Sequence, residues 1–243
     1  MQKNSAKSLR DDVQNVLDYL LDVDLCIFAN PVGVSAGVPL EDGTTVERVR
    51  FISHDHSAPF LISHGHPGVD QYMSWVNSGA YSAVLFDGSL LQITYDISAK
   101  GSVVRHRLAY MPCPYEVDQE LLAQEPLLDA LAYYVGGTEI LLRSQLRFDF
   151  DRALAGPGHP AAHFTFNGPD CRVPCIAPMH VLRFVDFVFR HSYPSQRSYH
   201  QAFFAPSSWR HLGEPELADL DRFAPHIVWD AHATMHSVAY AHD

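Results

Sequence analysis

The segment from Tyr81 to Met111 constrains the fold more than any other part of the chain. It reads Tyr81-Ser-Ala-Val-Leu-Phe86, then Asp87-Gly88, then Ser89 to Ile97. Within it Leu91, Ile93, Tyr95 and Ile97 alternate with Gln92, Thr94 and Asp96. A period of two places the apolar set on one side of an extended strand and the polar set on the other. An Asp-Gly pair between two such runs predicts a two-residue hairpin turn. A Lys100-Gly101 turn and a third run, Val103 to Met111, complete a meander, and Pro112 and Pro114 stop it. An antiparallel sheet is therefore the scaffold.

Helical patterns flank it. Leu9, Val13, Val16, Leu17, Leu20 and Leu21 recur at helical spacing and predict an amphipathic N-terminal helix over 8–23. A short helix is expected after Pro67 with Gly79 at its end, two more over Glu116 to Gln124 and Pro126 to Val135, and a largely buried one from Pro178 to His191. Strands are expected from Cys26 to Ile62 around an Asp42-Gly43 turn, and at Glu139 to Asp151, His163 to Asn167 and Cys171 to Cys175. Beyond Tyr193 the chain mixes Pro, Ser, Trp and His, with a short helix near Glu216 to Phe223. The expected fold class is α+β: one domain over 1–243, with a sheet core near 80–176, helix 178–191 and a tail over 193–243. With 243 residues, 47% of them apolar, the chain can bury a substantial core.

Charge restricts partners. Seventeen Lys and Arg stand against 28 Asp and Glu, a formal net charge of −11. Such a surface repels nucleic acid and anionic membrane as a whole. Contact with RNA or DNA would need a local basic pocket; a protein partner or self-association is the other expectation. The longest apolar candidate, Val181 to Phe189, carries Arg183 and Asp186 and is too short to span a bilayer. Four cysteines and no secretory segment suit a cytoplasmic setting.

The chemistry-bearing residues cluster on two strands. Arg143, Gln145, Arg147, Asp149 and Asp151 alternate with Leu142, Leu146, Phe148 and Phe150, and His163, Thr165 and Asn167 alternate with Phe164 and Phe166. Pairing the strands about Gly156-Pro157-Gly158 sets Asp149 opposite His163 and Arg147 opposite Thr165. Arg172 follows on the next strand, and His159 lies near the same end.

Arginine binds phosphate or carboxylate through a planar fork, and a carboxylate beside histidine fixes its tautomer and raises its basicity. Arg147, Asp149, His159, His163 and Arg172 are thus candidate catalytic residues, and Arg143, Gln145 and Asn167 candidate ligand-binding residues. Asp149 and Asp151 could instead share a divalent metal. The plain alternative is an Arg–Asp ladder that merely stabilises a solvated sheet face. Cys171 and Cys175, with three residues between them on a strand, should share a face and pack as small apolar groups. His54-Asp55-His56, His64-Gly65-His66, His232 and His236 have no recognised ligand spacing, and no P-loop, GxSxG or dinucleotide fingerprint occurs.

The strings Leu85-Phe-Asp-Gly-Ser-Leu-Leu-Gln-Ile-Thr-Tyr95, His106 to Pro114, Leu146 to Asp151, His159 to His163 and Cys171 to Cys175 together resemble a bacterial family, number 2290 among the domains of unknown function. The resemblance spans about residues 70 to 195. It implies a bacterial protein and an order of motifs, and brings no activity with it. The Arg-Phe-Asp-Phe-Asp…His-Pro…His order is also loosely similar to small toxins of toxin–antitoxin modules. The expectation is therefore an effector or accessory subunit of a phage-defence or toxin-type system, binding phosphate, nucleotide or RNA. If it is an enzyme, it would be a phosphodiester hydrolase. A non-catalytic interaction module and a metal-dependent hydrolase are the alternatives.

Overall fold

The computed structural model describes residues 5–52, 68–137, 139–141, 143–166, 171–205, 212, 217–219, 221–223 and 225–229. Nine strands are described: β1 (Cys26–Ala29), β2 (Val32–Pro39), β3 (Thr45–Phe51), β4 (Ala83–Leu85), β5 (Leu90–Ser98), β6 (Val103–Met111), β7 (Leu146–Asp151), β8 (Ala162–Phe166) and β9 (Arg172–Pro174). They form one antiparallel sheet in the order β1-β4-β5-β6-β7-β8-β9, and β3 also pairs with β5 and carries β2 at its far side. Helices α1 (Ala6–Asp22), α2 (Gly68–Ser78), α3 (Gln119–Gln124), α4 (Leu127–Ala132), α5 (Val181–Ser192) and α6 (Pro194–Tyr199) flank it. The architecture is α+β with an open antiparallel sheet, as the alternation predicts.

The two faces of the sheet differ. Leu91, Ile93, Tyr95, Leu108, Phe148 and Phe150 point to one side and pack with the apolar faces of α1 and α5. Ser5 caps α1 by accepting the Ser8 amide at 3.0 Å, and Leu9, Val13, Val16, Leu17 and Leu20 are buried along it. Burying each side chain of this size stabilises by about 2 kcal/mol, so this layer supplies most of the hydrophobic driving force. Two hydrogen bonds stitch the entry to α5 onto the sheet: Tyr95 Oη donates to the Met179 carbonyl, and the Met179 amide donates to His106 Nε2, both at 2.9 Å. On the opposite face Val84, Leu90, Ala109 and Met111 pack with Tyr72 and Trp75 of α2 and with Ala130 and Leu131 of α4. Further along the same strands this second face turns polar.

Several sequence expectations are corrected. The Asp87-Gly88 hairpin has a three-residue loop, not two: Leu85 N–H donates to Ser89 O at 2.7 Å, and Gly88 N–H to Leu85 O at 2.9 Å. The β2–β3 turn at Gly43 and the β5–β6 turn at Gly101 repeat this pattern. In each case a glycine at φ 79° to 82° takes the left-handed position the loop needs.

The strand expected over Glu139 to Asp151 begins only at Leu146. Its partner β6 ends at Met111 before Pro112, so residues upstream of 146 have no ladder to join; Leu141 N–H instead bonds Pro114 O at 2.8 Å. Pro178 does not open α5, whose N-cap is His180, accepting the Leu182 amide through Nδ1 at 3.2 Å. Cys175 is buried but Cys171 is exposed, because β9 covers only Arg172–Pro174 and the alternation does not reach both sulfurs. In the tail, α6 (Pro194–Tyr199) is a helix the sequence reading did not expect, and of the helix expected near Glu216 to Phe223 a 3₁₀ turn at Asp221–Phe223 is described. The histidines 54, 56, 64, 66, 232 and 236 lie outside the described residues.

Candidate functional site

The polar part of the second face is built from cross-strand rows. One row runs Arg50, Thr94, Arg107, Asp149, His163 across β3, β5, β6, β7 and β8. A parallel row runs Arg48, Asp96, Arg105, Asp151, and a third runs Gln92, Ala109, Arg147, Thr165, Arg172. Residues two apart on a strand share a side, so all three rows lie on one surface. Asp149 stands opposite His163 and Arg147 opposite Thr165, a register whose midpoint falls at Gly156, where the turn between the strands begins. Gly156 and His159 close that turn with reciprocal 2.9 Å backbone hydrogen bonds, and Gly158 takes φ 73°.

Asp149 is the hub. The Arg147 Nε donates to its Oδ2, Arg107 Nε stands 3.8 Å from its Oδ1, and His163 Nε2 lies 3.5 Å from Oδ2. The carboxylate is 8% exposed, and burial at that level demands compensating charge. Among the described residues its Oδ1 nevertheless accepts no hydrogen bond, and the buried hydroxyls Thr94 Oγ1 and Thr165 Oγ1 on the same face also lack partners. A second hub, Asp96, is held from both sides: Arg48 reaches it at 2.6 and 3.0 Å and Arg105 at 2.8 Å. Both of these forks are positioned by a carboxylate that is itself 1% exposed.

His163 is buried and its tautomer is fixed. Nδ1 lies 2.8 Å from the Pro160 carbonyl, which can only accept, so Nδ1 carries the proton and Nε2 faces Asp149. Burial pushes the imidazole below its ordinary range and outweighs the opposite pull of Asp149, so the ring is neutral at pH 7. His159 stacks edge-on against it, ring centroids 4.9 Å apart. His159 is half-buried, and among the described residues its buried Nδ1 has no hydrogen-bond partner. Burial likewise lowers the Arg107 guanidinium, with Asp149 working against that shift.

The sheet therefore brings together Arg147, Asp149, His159, His163 and Arg172. It does not bring Arg143, which lies upstream of β7 and stands 3.6 Å from Asp87 beside Tyr110 and Tyr193. Gln145 also precedes the strand, and Asn167 lies outside the described residues. The sequence reading missed Arg48, Arg50, Arg105 and Arg107. The signal for them was present: Arg48 and Arg50 are spaced by two on a strand, as are Arg105 and Arg107, and each pair falls opposite Asp96 and Thr94.

Asp149 and Asp151 suit a divalent cation poorly, because Arg107 and Arg147 already crowd Asp149, and Asp151 stands opposite Arg105 and accepts the Ala153 amide at 3.0 Å. Among the described residues no three His, Cys, Asp or Glu side chains converge as a metal site would require. Among them, too, no helix is long and apolar enough to cross a membrane.

No curated protein and no solved structure matches the chain. Residues 36–236 match the family described as an uncharacterized conserved protein, DUF2290, and the chain belongs to that family.

Proposed function

We propose that the arginine-rich sheet face binds a phosphate-bearing ligand, a nucleotide or RNA segment, and that the Asp149–His163–His159 group supports acid–base cleavage of a phosphodiester there. One observation carries the reading: six arginines (48, 50, 105, 107, 147, 172) share a face with three aspartates (96, 149, 151) in a chain whose net charge is −11. A local cationic surplus on an acidic protein concentrates anionic ligand where the rest of the surface repels it. Buried acceptor and hydroxyl atoms left without partners on the same face are what a polar ligand satisfies.

In this reading His159 is the acid or base, its half-buried ring lying against His163 beside the Asp149 hub. His163 is a positioning residue: anchored through Nδ1 by the Pro160 carbonyl, its ring packs against that of His159 and sets where it sits. Arg147 and Arg172 stabilise charge that develops on the phosphorus oxygens. The chemistry suits a cytoplasmic effector or accessory subunit of a phage-defence or toxin-type system, acting with a protein partner or as an oligomer. An end-labelled single-stranded oligoribonucleotide incubated with the protein tests it. Cleavage is expected, with a loss of 10²-fold or more in His159→Ala. Binding without cleavage in the wild type would reduce the site to a receptor, and neither binding nor cleavage would overturn the reading.

A further inference from the structure

The polar face ends in a cleft of about 440 Å³ between the β2–β3 turn, the end of β5, the start of β6 and the segment after β7. This volume is within the range of about 300–1,000 Å³ usual for small-molecule sites. Its lining is divided. Arg105 and Arg107 come from β6 and Arg152 from the segment after β7; Leu40, Val46, Val104 and Leu154 supply apolar wall; Glu41, Asp42 and Asp151 supply carboxylates.

Arg105 is preset: Nε donates to Asp96 Oδ2 at 2.8 Å and Nη2 stands 2.6 Å from the same oxygen, so Nη1 takes no part in holding Asp96. A preset fork loses little freedom when it takes up an anion. Asp42 is fixed by its own turn, Oδ1 accepting the Thr44 amide at 2.9 Å and the Thr44 hydroxyl at 2.7 Å, and those bonds lower its carboxyl below the usual range. It stays ionised at neutral pH.

Inorganic phosphate alone does not fit this mixture, because Glu41, Asp42 and Asp151 repel it. A ligand with a phosphate at one end, hydroxyl or amine donors in the middle and a flat apolar ring at the other uses every part. We infer that the cleft binds a ribonucleoside 5′-monophosphate, free or as the terminal residue of a chain. The phosphate lies against Arg105 and Arg107, the sugar hydroxyls donate to the Asp42 side, and the base rests on Leu40, Val46 and Leu154. The inference rests on the anion-binding reading of the face and adds to it a substrate class and a place.

Isothermal titration of the full chain with the four ribonucleoside 5′-monophosphates, adenosine, inorganic phosphate and deoxyadenosine 5′-monophosphate tests it. At least one ribonucleotide should bind one per chain. Adenosine, phosphate and the deoxynucleotide should each be tenfold weaker or more. Ala153→Trp, which fills the cleft from an exposed position, should weaken binding at least tenfold with an unchanged thermal melt, and Leu154→Glu, at another exposed position, should do the same by placing a carboxylate against the base. Undiminished binding in both variants would overturn the inference, as would inorganic phosphate binding as well as any nucleotide. A parallel titration with a ten-residue oligoribonucleotide separates the two levels. Oligonucleotide binding that is lost in Arg147→Ala but untouched by Ala153→Trp sinks the cleft and keeps the face. No binding of either ligand sinks both.

Discussion

At the scale of single residues, the histidines show how position on the sheet decides chemistry. His106 on β6 and His163 on β8 stand either side of β7 and on opposite faces of the sheet. His106 is buried in the apolar layer, accepts the Met179 amide, and is pushed down to about 3 by burial. His163 is lowered for the same reason, though Asp149 restrains the fall. Both rings are neutral in the folded protein and titrate near 6.5 when unfolded, so the unfolded chain gains protons first as the pH drops. The stability they contribute is complete above about pH 6.5 and declines as the pH falls below it, for His106 down to about pH 3. For His106 alone the loss is on the order of 4 kcal/mol over that interval. His106→Gln keeps an acceptor for Met179 and removes the titration, so its urea midpoint should fall less between pH 6.5 and 4.5 than that of the wild type. Parallel pH profiles in the two proteins would contradict the burial assigned to His106. The alternation separates the two histidines: His106 is in phase with Leu108 and Tyr110, and His163 with Thr165, so one joins the apolar set and the other the polar set.

Among the elements, the meander and the α1 and α5 helices were readable, because a period of two and a period of 3.6 are strong signals when apolar side chains carry them. β6 begins and ends where the alternation and Pro112 say it should. The start of β7 was not readable: the alternation runs upstream through Arg143 and Gln145, but the partner strand is already over, and pairing is a property of two segments at once. The candidate site shared this fate. Its β7–β8 half followed from one hairpin, and its β3 and β6 arginines needed the full strand order, in which β3, besides its hairpin partner β2, skips β4 to pair with β5.

The three glycine-closed hairpins carry that order. Gly88→Ala forces a side chain into φ 82° and against Cys113 Sγ at 3.4 Å, whereas at Gly43, φ 80°, an added Cβ meets nothing within 4 Å. Both should cost about 1–2 kcal/mol in chemical unfolding for the left-handed backbone alone, with Gly88→Ala the larger. Equal stability of Gly88→Ala and wild type would rule out the turn geometry.

Across the whole molecule, the sheet acts as a divider. One face is covered by α1 and α5 and supplies cohesion; the other passes from an apolar end under α2 and α4 to an arginine-rich end. The separation lets an acidic protein present cationic groups at one place without destabilising its core. The aspartate hubs do the local work, since two buried carboxylates hold Arg48, Arg105 and Arg147 in fixed orientations that free side chains would not keep.

The central claim is that this face receives phosphate. Fluorescence anisotropy of a labelled single-stranded oligoribonucleotide, measured at several salt concentrations with wild type and with Arg147→Ala, addresses it directly. The account predicts that affinity falls with salt, that the variant binds at least tenfold more weakly, and that its log–log salt slope is shallower by about 0.7, the share of one phosphate contact on a single strand. A folded variant with wild-type affinity and an unchanged slope would contradict it.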